Sequence, residues 1–214
     1  MTVEAALTQA AEQLGTSSTA RLDAEVLLAH ALRTDRTWVL ANGTVGLPTQ
    51  VEDHFRDLVS RRRSGTPVAY LTRTKEFRGR PFEVTPSVLV PRPESELLVD
   101  LTVAQAMHGD SVVDIGTGSG CLGISIALER PDLDVHLVDL SAVALSQAAD
   151  NAAKLGASRV RLHRADLWPE LGLDPARTVI VANLPYVPDA TVESDQSLRA
   201  EPRMALAGGP DGLD

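Results

Sequence analysis

The sequence has one cysteine and lacks any long apolar run. A single cysteine excludes an internal disulfide framework and a cysteine-rich metal site, and we expect no metal. No apolar run approaches about 18 residues, so we expect no transmembrane helix. Residues 1–15 carry acids early and have no basic segment before an apolar core, so no signal peptide is expected. These absences favour a cytoplasmic protein.

Positive charge is also in short supply. The chain has 20 Lys and Arg against 29 Asp and Glu, a formal net charge of −9. This balance disfavours tight binding to nucleic acid, which needs a basic face. The basic run 61–63 is interpreted as a solvated helix end. With 214 residues, 43% of them hydrophobic, the composition is typical of a globular protein of one or two domains. We expect a monomer that binds neither membranes nor nucleic acid directly.

Two kinds of periodicity divide the chain. Apolar residues recur at helical spacing within residues 1–74, which predicts a small helical domain. Residues 75–92 place the turn Arg78-Gly79-Arg80 between two β-prone runs, which predicts a hairpin linker. Residues 93–214 then alternate strands and helices, with strands at "SVVDIG", "DVHLVDL", "RVRLHRAD" and "TVIVANL". Apolar strands in this order predict an α/β fold with a parallel, doubly wound, Rossmann-like sheet.

A glycine loop, "DIGTGSGCLG", follows the first of these strands and opens a helix. Its glycines allow a tight turn and a close approach to a ligand, and the helix start supplies free N–H groups. Gly118, Gly120 and Gly123 also spell G-x-G-x-x-G, so a dinucleotide site is a rival interpretation. Asp114, before the loop, is as well suited to tying the loop backbone as to contacting a ligand. Cys121 opens the helix, where the pKa of a thiol is often lowered, although packing is the favoured role.

Polar residues follow the other strands at the same relative position. Asp139 comes about twenty residues after the loop, where an acid accepts hydrogen bonds from ribose hydroxyls. Asp166 ends the third strand and Asn183 ends the fourth. Because ligands of open parallel sheets bind at the carboxyl ends of the strands, we expect one site at this edge.

The fourth strand ends in Asn183-Leu184-Pro185-Tyr186. Pro185 restricts Leu184 to extended backbone, which turns the Leu184 carbonyl outward. This carbonyl and the Asn183 side-chain carbonyl are placed to accept both hydrogens of a planar –NH₂ group, with Tyr186 covering its face. An amide nitrogen is a weak nucleophile, so aiming it at an electrophile such as a methyl sulfonium is the main catalytic need.

These segments resemble the class I S-adenosylmethionine-dependent methyltransferases and, within them, the HemK/PrmC family. The resemblance covers nearly the whole chain and rests on "ARLDAEVLLAHAL", "LVPRPE", "VVDIGTGSGCLGISIAL" and "EPRMALAGGPDGLD". The family methylates the glutamine side-chain amide in the Gly-Gly-Gln loop of peptide chain release factors. The resemblance therefore implies S-adenosyl-L-methionine as cofactor and a release factor as protein substrate.

The resemblance also implies roles for individual residues. Asp139 would take the ribose hydroxyls, Asp166 and Leu167 would flank the adenine, and residues 183–186 would hold the substrate amide. The helical domain would help to recognise the release factor. The methionine part of the cofactor would lie on the loop residues Gly116, Thr117, Gly118, Ser119 and Gly120.

Two departures from the family pattern leave alternatives open. The family motif is Asn-Pro-Pro-Tyr, and Leu184 replaces its first proline. Asn-Leu-Pro-Tyr also resembles the motif of rRNA adenine dimethyltransferases, so a paralogue acting on another amide, a small amine or an adenine base is the alternative enzyme.

The chain stops at Asp214, where the family continues through further strands, and we expect an unpaired hydrophobic edge on the fourth strand. A truncated, inactive remnant that binds a partner is the non-enzyme alternative.

Overall fold

The computed structural model describes residues 1–15 and 17–213. Asp214, the last residue of the predicted domain 93–214, lies outside them. The chain divides into two compact units, Met1–Thr72 and Arg73–Asp214. None of the described helices is both long enough and apolar enough to cross a membrane.

The first unit is a bundle of helices. They are α1 (Val3–Gln13), α2 (Ala20–Leu32), α3 (Arg36–Ala41), α4 (Thr49–Arg63) and α5 (Val68–Thr72). Helix α1 begins after Thr2, whose hydroxyl accepts a hydrogen bond from the Ala5 N–H at 3.3 Å. Helix α3 begins after Asp35, whose carboxylate accepts from the Trp38 N–H at 2.7 Å. Such caps satisfy N–H groups that the start of a helix leaves unpaired.

Two acids of α2 are buried inside this bundle. Asp23 accepts a hydrogen bond from Arg62 Nε, and Glu25 accepts one from Arg36 Nε, each at 2.7 Å. A carboxylate removed from water is costly unless it is paired, so both arginines are needed where they are. The interpretation of the run 61–63 as a solvated helix end is therefore wrong for Arg62, which is a structural ion-pair partner.

The second unit begins with a hairpin and continues as alternating strands and helices. Its elements are β1 (Thr74–Phe77), β2 (Arg80–Glu83), α6 (Glu96–Gln105), β3 (Ser111–Ile115), α7 (Cys121–Glu129), β4 (Asp134–Asp139), α8 (Ala142–Leu155), β5 (Arg161–Arg164), β6 (Thr178–Ala182) and α9 (Asp189–Ser194). Strands β1 and β2 pair antiparallel around the turn at Arg78-Gly79. Helix α8 is capped at both ends, by the Ser141 hydroxyl and by Gly156 with φ +81°.

Strands β3 to β6 form a parallel sheet in the order β5-β4-β3-β6. The fold class predicted from the sequence is thereby confirmed. Strand β3 is central, and its residues 112–115 are all buried, as its apolar sequence predicts. Strand β6 is an edge strand among the described residues, and its Ile180 is 57% exposed.

Side chains alternate between the two faces of this sheet. One face packs on helices α6, α7 and α8 through a core that includes Val112, Leu137 and Val181. On the other face, Val113 and Val138 pack with apolar side chains from residues 165–173. Because both faces are covered at β3, ligand access is left to the ends of the strands.

Candidate active site

The carboxyl ends of the strands open into one cavity of the second unit. It holds about 1120 Å³ of space not filled by atoms, part of it open to solvent. Of the residues that sequence reasoning selected, the cavity is lined by Gly116, Thr117, Gly118, Ser119, Asp139, Asp166, Leu167, Asn183, Leu184 and Pro185. Asp114, Gly120 and Tyr186 are not among its lining residues. Four strand ends therefore contribute to one site, as the parallel topology requires.

The glycine loop between β3 and α7 turns through left-handed backbone. Gly116, Gly118 and Gly120 have φ values of +69°, +55° and +82°. Gly123, the last glycine of the rival dinucleotide motif, lies inside α7 and faces the sheet. A Cβ there would lie 2.2 Å from Leu137 Cδ2, so Gly123 serves helix–strand packing.

Asp114 braces the loop from behind the cavity. Its Oδ2 accepts hydrogen bonds from the Thr117 hydroxyl at 2.6 Å and from the Gly123 N–H at 3.0 Å. Its Oδ1 is buried and has no hydrogen-bond partner among the described residues. Burial and, to a smaller extent, the negative charge of Asp139 raise the pKa of this carboxyl, the two hydrogen bonds lower it, and the net result is a pKa of about 6. The loop-tying role is the one that these contacts describe.

Asp139 holds the loop from the next strand. Its Oδ2 accepts from the Gly118 N–H and its Oδ1 accepts from the Ser141 N–H, both at 2.9 Å. Each carboxylate oxygen has more than one acceptor position, so Asp139 keeps acceptor capacity toward the cavity.

Asp166 and Leu167 close the side of the cavity nearest β5. Leu167 is 57% exposed and has φ +60°, a backbone conformation that costs a non-glycine residue about 1 kcal/mol or more. An exposed leucine held in this way presents an apolar surface at the cavity wall.

The segment Asn183-Leu184-Pro185-Tyr186 lies opposite the glycine loop. Asn183 Nδ2 donates a long hydrogen bond, 3.4 Å, to the hydroxyl of Ser95, which is 7% exposed. This contact engages the Asn183 nitrogen, and no hydrogen bond to its carbonyl oxygen is seen among the described residues. Leu184 Cδ2 would lie 3.3 Å from a Cβ built on Gly116, so the leucine covers the loop. Tyr186 is 67% exposed.

A further wall of the cavity comes from irregular segments that sequence reasoning assigned no role. Glu201 accepts a hydrogen bond from the Val90 N–H at 3.0 Å and from Arg92 Nη2 at 2.5 Å, and its side chain is only 4% exposed. It thereby joins segments about 110 residues apart. The lining residues next to this clasp are Pro91, Arg92, Pro202, Met204 and Ala205. The sequence signal for this wall was available in the quoted segments "LVPRPE" and "EPRMALAGGPDGLD", which contain Arg92 and Glu201.

Cys121 lines the cavity at the start of α7. Burial raises the pKa of its thiol to about 12, so the lowering expected at a helix start does not occur. The side chain is a neutral packing group, the role that the sequence favoured.

Two family models match the chain. Residues 5–72 match the PrmC N-terminal domain, and residues 93–201 match the methyltransferase small domain. The second match falls on the unit that carries the cavity.

Curated relatives match over most of their length. A release factor glutamine methyltransferase of Neisseria gonorrhoeae is 38% identical over 94% of this chain and 74% of its own. Enzymes of the same name from Bordetella pertussis and Salmonella typhimurium are 41% and 35% identical, over 90% and 97% of this chain and 72% and 75% of theirs.

Solved structures overlap with smaller parts of the chain. A ribosomal protein L11 methylase of Lactobacillus delbrueckii is 28% identical, with a TM-score of 0.34, over 37% of this chain and 42% of its own. An S-adenosylmethionine-dependent methyltransferase of Geobacter sulfurreducens, in complex with S-adenosyl-L-homocysteine, is 30% identical, with a TM-score of 0.29, over 33% and 29%.

The parallel sheet, the glycine loop and the cavity at the strand ends define an α/β domain of the methyltransferase class. The curated relatives identify one family within this class, because their sequence similarity extends across both units. The chain belongs to the release factor glutamine methyltransferase family. The resemblance to the HemK/PrmC family is thereby confirmed, and this family replaces the rival dinucleotide-site interpretation of the glycine loop.

Proposed function

We propose that this protein methylates the side-chain amide nitrogen of a glutamine in a peptide chain release factor, with S-adenosyl-L-methionine as methyl donor. One observation supports this function above the others. Asn183 and Leu184 line the same cavity as the glycine loop, which would place a planar amide beside a nucleotide cofactor.

The residues present suit this cofactor. Asp139 retains acceptor capacity for ribose hydroxyls, and Leu167 offers an apolar surface in the same cavity for the adenine. Residues 116–119 would hold the methionine part against the loop backbone. When bound, S-adenosylmethionine supplies a methyl group on a sulfonium sulfur, whose C–S bond breaks as the new C–N bond forms.

The chain's own contribution is to hold the acceptor amide. The Asn183 carbonyl oxygen and the Leu184 backbone carbonyl each accept one hydrogen of the –NH₂ group, which fixes the direction of the nitrogen lone pair. Ser95 orients the Asn183 amide so that its oxygen, and not its nitrogen, faces this group. Because the nitrogen loses a proton only after it has gained the methyl group, positioning supplies the catalytic effect without a strong base.

We also infer a role for each part of the chain outside the cavity. The helical region 1–74 would recognise the release factor, region 75–92 would link it to the methyltransferase domain, and Tyr186 would cover the face of the bound amide. Its high exposure suits a residue that meets a protein substrate. An enzyme with this substrate works where translation occurs, in the cytoplasm.

The test combines binding with transfer. Calorimetric titration with S-adenosylmethionine, and with NAD as control, should show selective binding of the former. Methyl-labelled cofactor should then label a purified release factor, and not a variant in which the loop glutamine is replaced by asparagine. Labelling of an adenine-containing RNA in place of the release factor would identify the alternative enzyme. Cofactor binding without transfer to either would contradict the proposed function.

A further inference from the structure

The residues that follow Asn183 are held by a segment near the end of the described chain. We call residues 206–212 the backing segment. The Val187 N–H donates to the Leu206 carbonyl at 2.9 Å, and the Gly208 N–H donates to the Val187 carbonyl at 3.0 Å. The Asp189 N–H donates to the Gly209 carbonyl at 2.9 Å. These bonds begin directly after Tyr186, so the backing segment sets where that part of the chain runs.

Two buried glycines bring the backing segment unusually close. A Cβ built on Gly212 would lie 2.4 Å from the Tyr186 carbonyl oxygen. A Cβ built on Gly208 would lie 3.0 Å from the Pro185 carbonyl oxygen and 2.9 Å from the Gly212 carbonyl oxygen. Real Cβ atoms essentially never approach within 3.0 Å, so any side chain at Gly212 displaces backbone, and one at Gly208 meets backbone on two sides.

We propose that Gly208 and Gly212 are positioning residues for methyl transfer, because their missing side chains let the backing segment set the Pro185 and Tyr186 carbonyls. This inference rests on the proposed function. Pro185 transmits the position, since its ring fixes φ and so sets where the Pro185 carbonyl carbon lies relative to the Leu184 carbonyl that precedes it. A shift at Pro185 therefore moves one of the groups that hold the substrate amide.

Replacing a glycine by alanine can act in two ways, by placing a Cβ against neighbouring atoms or by straining backbone of positive φ. Three glycines of this chain allow the two effects to be separated. Gly208 is outside the positive-φ region and makes the close approach, so Gly208→Ala adds contact alone. Gly212, with φ +84°, has both features. Gly156, which caps α8 at φ +81°, has nothing within 4 Å of a built Cβ, so Gly156→Ala adds strain alone. Gly156→Ala is therefore the matched control.

We expect Gly208→Ala and Gly212→Ala to lower kcat for release-factor methylation by about tenfold or more, since small misplacements of substrate-holding groups have large effects. The Kd for S-adenosylmethionine, from calorimetry, should stay within about threefold, because the loop, Asp139 and Asp166 lie on other elements. Gly156→Ala should lose thermal stability and keep its kcat. If Gly212→Ala does not fold, Gly208→Ala carries the test.

Equal kcat values for Gly208→Ala and the wild type would overturn the proposal, as would a loss in Gly156→Ala that matches the loss in Gly208→Ala. A wild-type chain that does not methylate the release factor contradicts the proposed function instead. In that case crystal structures decide the positioning role. A Pro185 carbonyl displaced in Gly208→Ala supports it, and an unmoved carbonyl overturns it.

Discussion

At the scale of single residues, Asn183 depends on an unequal use of its two amide atoms. Its nitrogen donates to Ser95, and in the proposed function its oxygen accepts from the substrate amide. An aspartate at this place could also accept a hydrogen bond from a substrate N–H. It has no nitrogen, however, that could donate to Ser95. The neutral amide is therefore suited to accepting from a substrate N–H while keeping one fixed orientation.

Replacing Asn183 by alanine should abolish most of the transfer and little of the cofactor binding. We expect kcat for release-factor methylation to fall by about 100-fold or more, since one of the two amide acceptors is lost. Steady-state kinetics and calorimetry with S-adenosylmethionine measure the two effects separately. Asn42→Ala, which removes a half-buried asparagine in the first unit, is the control. An equal loss of binding and transfer would contradict the role assigned to Asn183.

Asp114 should make stability depend on pH in an unusual direction. Its pKa is raised from 3.8 to about 6, so the folded state binds this proton more tightly than the unfolded state does. The contribution to stability is fully present below pH 3.8 and is lost as pH rises through about 6. At neutral pH, the raised pKa makes the free energy of unfolding about 3 kcal/mol smaller than it is below pH 3.8.

Asp114→Asn removes this buried charge with little change in volume. We expect the variant to be more stable than the wild type at pH 7.5, with the difference shrinking toward pH 4. Urea unfolding at several pH values measures it. A variant that is less stable at pH 7.5 and gains on the wild type as pH falls would show that the carboxylate is stabilised where it lies.

At the scale of elements, the hairpin of β1 and β2 is anchored through its turn. Arg78 and Gly79 both have positive φ, +51° and +68°, as a two-residue hairpin turn requires. This backbone is unfavourable for an arginine. Arg78 offsets the strain by donating to both carboxylate oxygens of Glu129 on α7, at 2.8 and 2.9 Å. Arg80 donates to the same carboxylate at 3.1 Å.

Glu129→Gln should therefore weaken the attachment of the hairpin to α7. Arg78 lowers the pKa of Glu129, so its contribution is present above pH 4.5 and is lost as pH falls below that value. We expect a loss of about 1–2 kcal/mol at pH 7 that narrows in acid. Urea unfolding avoids the screening that guanidinium salt would cause. Asp53→Asn, which breaks an exposed pair with Arg56, should change stability by less than about 0.5 kcal/mol.

At the scale of the whole molecule, each unit has its own apolar core. The first core includes Leu27 and the second includes Leu137, both with no exposed surface. The cavity is lined entirely by residues of the second unit. A ligand bound in the cavity therefore directly stabilises the second unit.

Scanning calorimetry with S-adenosyl-L-homocysteine should show this separation. A ligand at about 100 times its Kd adds about 2.7 kcal/mol to the state that binds it, so the transition of the second unit should move to higher temperature. Leu27→Ala, which opens a cavity in the first core, should lower the other transition. A single transition that the ligand and Leu27→Ala both shift would show that the units unfold together.

Much of this molecule follows from the sequence alone. The periods of apolar residues predict the longer helices and the four parallel strands, and the parallel order brings the glycine loop, Asp139, Asp166 and Asn183 to one edge. Local chemistry is sufficient for these features because each is encoded within one element. The short helices α3 and α5 have too few turns to show a period, and the sequence did not predict them.

Only the tertiary structure decided how irregular segments meet. The contact of Ser95 with Asn183 and the clasp of Glu201 on Val90 join residues far apart in the chain, at separations of 88 and 111 positions. The close approach of Gly212 to Tyr186 and the burial that raises the pKa of Asp114 depend likewise on packing. No local period records such contacts, since they form only when the sheet has set the distances between its loops.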